Sequence, residues 1–114
     1  MIDYSVSVIG QGYVGLPLSL RIAEKCNLCF GIDSSKAVIS ELKNGNLANY
    51  DLNTSKNLKR LIDKGSYKPT TNYSVIADSQ VVLICLPTPL TANGKPDLKI
   101  LKESLNKKIG RAHV

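Results

Sequence analysis

Residues Ser5 to Leu20 read SVSVIGQGYVGLPLSL, and this stretch constrains the fold more than any other part of the chain. A short apolar run, Val6 to Ile9, passes directly into Gly10, Gly12 and Gly15, a G-x-G-x-x-G, and then into an apolar segment with helical spacing. Strand, tight turn and helix in that order form the layout that holds a pyrophosphate. Each glycine has its own task. Gly10 lets the chain leave the strand where a side chain would obstruct the turn, and Gly12 removes a Cβ where the backbone must approach a ligand phosphate. Gly15 lets the helix pack closely on the sheet. Unpaired N–H groups and the positive dipole end of the helix then face the anion.

Methyltransferases and flavoproteins carry similar glycine turns, so the rest of the chain has to discriminate. Tyr4 to Ile9 is nearly continuously apolar, which suits a parallel strand covered on both faces. The spacing predicts a first helix from Tyr13 to Lys25, with Leu16, Leu20 and Ala23 on one stripe beside Ile22, Pro17 in the opening turn and Asn27 as its end. A second strand, Leu28 to Ile32, closes on Asp33, which stands 18 residues after Gly15. One helix must run down and one strand must return before the chain is again beside the phosphate site, so an acid here is placed to accept hydrogen bonds from the adenosine ribose hydroxyls. Its charge would repel a 2′-phosphate, which favours NAD over NADP; the nearby Lys36 softens that preference. The competing role for Asp33 is an N-cap for a helix from Ser34 onward.

Further along, Val38, Ile39 and Leu42 give the next helix its core stripe, and Asn44-Gly45-Asn46 stops it. Asn46 to Asn53 reads as a loop, after which Thr54 or Ser55 can cap a helix running to Asp63 or Lys64 and ending at Gly65. A short third strand is predicted over Tyr67 to Thr71, then a helical turn near Val75 to Asp78. Gln80 to Leu86, QVVLICL, is the most strand-like segment of all, and it breaks at Pro87-Thr88-Pro89. Asn93 to Pro96 forms a turn, and Asp97 opens a last helix with Leu98, Leu101 and Leu105 inward. The expected fold is α/β, a Rossmann-type doubly wound parallel sheet of strand order 3-2-1-4. In it Gly10 and Pro87 end neighbouring strands at one crevice. Thr88 either presents its hydroxyl and amide to that crevice or only turns the chain.

Composition excludes several function classes. Hydrophobic residues make up 43% and charged residues 21%, as in an ordinary globular domain rather than a disordered one. No apolar run approaches the ~20 residues of a membrane helix. The start, MIDYSVSVIG, has an acid where a signal peptide has bases, so a cytoplasmic protein is expected. The net charge of +6 is densest at Lys56, Lys59, Arg60, Lys64 and Lys68. The first four line a helix face opposite Leu58, Leu61 and Ile62, which reads as a solvated face and not as a nucleic-acid surface. Cys26 and Cys29 form a C-x-x-C, but no second cysteine pair follows and His113 is the only histidine, so zinc would lack ligands. A redox pair should open a helix, whereas this one is expected between a helix end and a strand. Structural cysteines are the better reading, with Cys85 a third small hydrophobe in a buried strand. No metal site and no catalytic residue are expected.

Three stretches together resemble the N-terminal domain of the UDP-glucose/GDP-mannose dehydrogenase family, the nucleotide-sugar dehydrogenases. They are VIGQGYVGLPLS at Val8 to Ser19; GID at Gly31 to Asp33 with ELKNGN at Glu41 to Asn46; and ICLPTPLTANGKPDL at Ile84 to Leu98, which joins P-T-P to a downstream P-D-L. Within the family the chain is most similar to the branch that oxidises UDP-N-acetyl-hexosamines. The resemblance covers residues 3 to about 108 and implies NAD held by Gly10, Gly12, Tyr13, Val14 and Gly15, with Asp33 at the ribose and Thr88 near the phosphates and nicotinamide. Gln11 stands where the family usually has an aliphatic residue, a change expected to face the surface and do no harm. Asp51 matches only loosely an acidic position of the family, and no role is expected of it.

The resemblance also implies a UDP-sugar substrate, a homo-oligomeric full-length protein, and two NAD-dependent hydride transfers that take a C6 alcohol to a carboxylate through a thioester on a cysteine of a C-terminal domain. That cysteine's motif does not occur in these residues, and Cys26, Cys29 and Cys85 are in the wrong elements to inherit its role. The chain is therefore expected to be inactive alone. Val81 to Leu86 is apolar on both faces, as a central strand would be, so the sheet is expected to be truncated after its fourth strand and the following helix. Residues 1–108 form the partial domain. Ile109 to Val114, IGRAHV, back-translate to a run resembling the start of a sequencing-library adapter and are expected to be a non-native tail; the other reading is a basic helix end capped by Gly110. Two further functions compete: a stand-alone dinucleotide-binding or sensor module without catalysis, and another hydroxyl dehydrogenase, which would leave P-T-P and P-D-L unexplained.

Overall fold

The computed structural model describes residues 2–45, 47 and 50–86. Their elements are β1 (Ile2–Ile9), α1 (Gly15–Lys25), β2 (Cys26–Ile32), α2 (Lys36–Asn44), α3 (Leu52–Lys64), β3 (Tyr67–Thr70), a 3-10 helix (Tyr73–Asp78) and β4 (Val81–Ile84). The four strands are all parallel, in the order β3-β2-β1-β4 that the sequence predicts. Thr88, the flanking prolines, the predicted last helix and the six-residue tail lie outside the described residues.

β1 is buried on both faces although serines alternate with its valines: Ser7, between Val6 and Val8, is fully buried and satisfied by a hydrogen bond with Ser79 Oγ. Val6 and Val8 face one apolar cluster, joined by Leu16, Leu20 and Ala23 of α1, Ile39 and Leu42 of α2, and Leu58 and Leu61 of α3. Ile9 faces the other, with Ile32 and Ile76 under the 3-10 helix. The chain thus covers one face of the sheet with α1 to α3 and crosses to the other before β4. β1 and β4 are consequently neighbours whose crossovers leave on opposite faces, the arrangement that opens a crevice at the C-terminal strand ends. Register brings those ends level, with Ile9 opposite both Ile32 and Ile84 and Ile32 opposite Thr70.

Several boundaries differ from the sequence expectation for local reasons. α1 stops at Lys25, and Asn27 is inside β2, because the chain turns directly from helix to strand at Cys26. Cys26 therefore joins Cys29 in the strand instead of preceding it. α3 begins earlier than Thr54 or Ser55 suggested: Asp51 caps it, its carboxylate accepting from Thr54 N–H at 2.8 Å. Hydrogen bonding from the Thr54 side chain and then from its backbone N–H lowers the carboxyl pKa from its ordinary 3.8. Gly45 and Gly65 end α2 and α3 in the left-handed conformation, as read. β4 is shorter than QVVLICL and, among the described residues, forms an edge and not a centre; Val81 and Ile84 are exposed there. Lys56, Lys59, Arg60 and Lys64 are exposed on the outer face of α3, with Leu58 and Leu61 fully buried beneath.

Candidate functional site

The turn after β1 is packed backbone against backbone. Gly10 leaves the strand at φ +97, a region that side chains disfavour, and its N–H donates to the Ile32 carbonyl at 2.7 Å. A Cβ on Gly10 would lie 2.6 Å from the carbonyl oxygen of Cys85, the residue just after β4. A Cβ on Gly15 would be driven into the Gly10 carbonyl oxygen. What Gly15 permits is thus approach of the helix start to the turn itself, closer than the helix-to-sheet contact the motif suggested. Gly12 is different: nothing lies within 4 Å of where its Cβ would project. That direction is open cleft.

The cleft has a volume of about 480 Å³ and runs from Gly10, Gly12, Tyr13 and Val14 to Asp33 and Ser34, with Cys85 and Leu86 on its third side. Helix α1 starts on it without a side-chain cap at Val14. The other described helices are each capped by a side-chain oxygen, from Ser35, Asp51 and Asn72. An uncapped helix start with its positive dipole end on a cleft, beside a glycine whose missing Cβ leaves free space, fits an anionic group such as a pyrophosphate. Tyr13 and Val14 are 79% and 69% exposed at the mouth.

One neighbour of the turn carried no sequence signal. Tyr50, an isolated aromatic in the α2–α3 loop, packs its ring 6.2 Å from that of Tyr13 and sets its hydroxyl 3.5 Å from the Gly12 carbonyl, to which it donates. Partial burial and then the neighbouring Tyr13 raise the Tyr50 pKa above its ordinary value of 10.0.

Asp33 follows β2 and faces the same cleft. Its Oδ2 accepts from the Gln11 N–H at 2.9 Å and its Oδ1 from the Ser35 N–H at 3.0 Å. The helix-cap alternative goes to Ser35, whose hydroxyl oxygen accepts from Val38 N–H at 3.2 Å. Asp33 is left as a carboxylate oriented by two backbone donors at the cleft wall. Gly10, Gly12, Tyr13, Val14 and Asp33 thus line one cleft, and Gly15 is buried directly behind it.

Gln11 overturns the expectation of a harmless surface change. It is 4% exposed, with its side chain turned inward beneath the turn. Nε2 donates to the Val8 carbonyl (3.1 Å), the Gly10 carbonyl (3.0 Å) and Ser19 Oγ (3.0 Å), while Oε1 accepts from the Tyr67 hydroxyl at 2.6 Å. An amide can lie this deep only because all of its polar atoms are satisfied. The sequence carried the parts, a polar residue at 11 with Gly31 and Tyr67 far along the chain, but nothing in their spacing joins them.

Cys29 is fully buried, and burial pushes its thiol up to about 12 despite a hydrogen bond with Ser19 that acts the other way. It behaves as a core residue, in keeping with the structural reading. Cys85, expected in a buried strand, is instead half-buried beyond the end of β4, at the edge of the cleft.

Residues 4–113 match the model of the UDP-glucose/GDP-mannose dehydrogenase family, NAD binding domain. An uncharacterized protein of Methanocaldococcus jannaschii is 34% identical over 103 residues, which are 90% of this chain and 11% of that protein. The UDP-N-acetyl-D-glucosamine 6-dehydrogenase of Salmonella typhi is 33% identical over 96 residues, 84% of this chain and 21% of the enzyme. In structure, the UDP-D-ManNAc dehydrogenase of Pyrococcus horikoshii superposes with a TM-score of 0.84 at 27% identity, over 94% of this chain and 25% of that one. The chain therefore spans a quarter or less of the length of each of these proteins, and two of the three carry N-acetyl-hexosamine names.

Proposed function

Because the chain belongs to the UDP-glucose/GDP-mannose dehydrogenase family, whose NAD binding domain it matches almost end to end, we propose that it is the cofactor-holding part of a nucleotide-sugar 6-dehydrogenase. The whole protein would take the C6 alcohol of a UDP-sugar, of the N-acetyl-hexosamine kind, to a carboxylate. The observation that carries the reading is the uncapped start of α1 opening on the same cleft as the anchored Asp33 carboxylate. NAD, when bound, supplies the hydride acceptor. The chain's own residues do the holding: Gly10 and Gly15 shape the turn, the backbone at Gly12, Tyr13 and Val14 meets the phosphates, and Asp33 accepts from the ribose hydroxyls. Thr88 is proposed to meet the cofactor from the β4 side.

No residue of this chain is assigned a catalytic role, and these residues alone are expected to show no dehydrogenase turnover. A homo-oligomeric whole protein and a cytoplasmic location belong to the same proposal. The non-catalytic sensor reading is disfavoured because the relatives whose names state an activity, such as those of Pyrococcus horikoshii and Salmonella typhi, are dehydrogenases. Calorimetric titration with NADH and NADPH tests the site: NADH should bind more tightly, and Asp33→Ala should narrow the difference by about tenfold, the worth of one charge-assisted contact. A wild-type preference for NADPH would rule out the ribose role of Asp33.

A further inference from the structure

The buried Gln11 side chain acts on its own backbone. Its Nε2 donates to the Gly10 carbonyl, and that oxygen belongs to the same peptide group as the Gln11 N–H. The described backbone has no cis peptide bond, and in a trans peptide C=O and N–H point in opposite directions. An amide that pins the oxygen from beneath the turn therefore aims the N–H the other way. There it donates to Asp33 Oδ2 at 2.9 Å, at the wall of the cleft.

Gln11 is braced in turn. Its Oε1 accepts from the Tyr67 hydroxyl, and Ser19 Oγ, which accepts from Nε2, donates in turn to the Gly15 carbonyl at 2.7 Å. Tyr67 stands on β3 and reaches Gln11 across the intervening strand β2. The passage is open because residue 31 has no side chain: a Cβ on Gly31 would lie 2.5 Å from the Tyr67 hydroxyl and 2.6 Å from Gln11 Oε1. Burial, and then the nearby Cys29, Asp33 and Tyr50, raise the phenol pKa far above its ordinary value of 10.0, so Tyr67 remains a proton donor.

We infer that Gln11 is a positioning residue for the dinucleotide ribose: its side chain, braced by Tyr67 through the gap at Gly31, sets the Gly10–Gln11 peptide and thereby the Asp33 carboxylate that separates NAD from NADP. This inference rests on the proposed dinucleotide site. Leucine at position 11 would keep the bulk and remove the brace, leaving the Asp33 carboxylate to turn away from the ribose.

The test uses the 114-residue chain as wild type, Gln11→Leu, Tyr67→Phe and the double variant. NADH and NADPH affinities are read by titration, stability by thermal unfolding, and the residue-11 amide by hydrogen exchange in NMR. Gln11→Leu should lower the melting midpoint, because the Tyr67 hydroxyl loses its acceptor. It should also weaken NADH about tenfold while moving NADPH less than about threefold. Adding Tyr67→Phe removes the orphaned hydroxyl, so the double variant should regain melting temperature and keep the weakened NADH affinity. Recovery of both together would reduce Gln11 to a packing role and overturn the inference, as would an unchanged NADH-to-NADPH ratio in Gln11→Leu. A wild-type chain that takes up neither dinucleotide overturns the dinucleotide site itself. The exchange data then judge the peptide separately: equal residue-11 exchange in wild type and Gln11→Leu refutes the orientation by the side chain.

Discussion

Among the described residues, polar side chains tie α1 to the rest of the molecule beneath the glycine turn and along the seam with α3, and these two regions are built to opposite rules. Under the turn, Gln11, Ser19 and Tyr67 are all but fully buried and every hydrogen bond is matched. Along the seam, Glu24 accepts from Asn57 at 2.7 Å and pairs with Arg21 at 3.5 Å and Arg60 at 3.9 Å, with the two arginine side chains 72% and 56% exposed. Water can replace any partner at the seam and none beneath the turn. What differs is whether losing a partner strands a buried group. Rigidity is thus concentrated where the cleft is shaped, and the outer helix face is free to vary.

The sharpest way to break this contrast is Gly15→Ala. Its new Cβ meets the Gly10 carbonyl, which is backbone and cannot rotate away. Urea unfolding should show a loss larger than the roughly 1–3 kcal/mol of an ordinary overpacked core, with NADH binding abolished; a loss under about 1 kcal/mol would mean the turn is slack. Gly31→Ala comes next, because its obstacles are the ends of two side chains that can shift at the expense of their hydrogen bond. It should cost about 1–3 kcal/mol, and the same denaturant series would detect a value near zero that dissolves the brace. Arg60→Ala should be smallest. An exposed ion pair at 3.9 Å is worth at most about 0.5 kcal/mol, and a larger shift in melting temperature would show that the seam shares the turn's rules.

Much of this was legible in the chain because it is local. The apolar run into Gly10, the stripe of Leu16, Leu20 and Ala23 and the Gly45 and Gly65 stops follow from short-range pattern, and the strand order from the doubly wound fold that the glycine turn announces. The position of Asp33 followed from the length of one helix and one strand. The rest depended on contacts far apart in sequence. Gln11 looked like a surface residue because its partners, Ser19, Gly31 and Tyr67, lie in three elements whose register no periodicity reports. Tyr50 is another such case, its ring packing on Tyr13 from far along the sequence. Even Asp51 does not stand out as a cap, because Thr54 and Ser55, equally good candidates, follow within the next turn.

The gap at Gly31 has a consequence for how such a chain can change over generations. A side chain at 31 closes the path of the Tyr67 hydroxyl, an apolar residue at 11 leaves that hydroxyl without an acceptor, and phenylalanine at 67 leaves the Gln11 amide oxygen without its donor. Each single replacement therefore passes through a less stable intermediate, while replacing 11 and 67 together does not. Positions 11 and 67 therefore form one heritable pair, and relatives with an aliphatic residue at 11 should lack the hydroxyl at 67, nearly 60 residues away in the sequence.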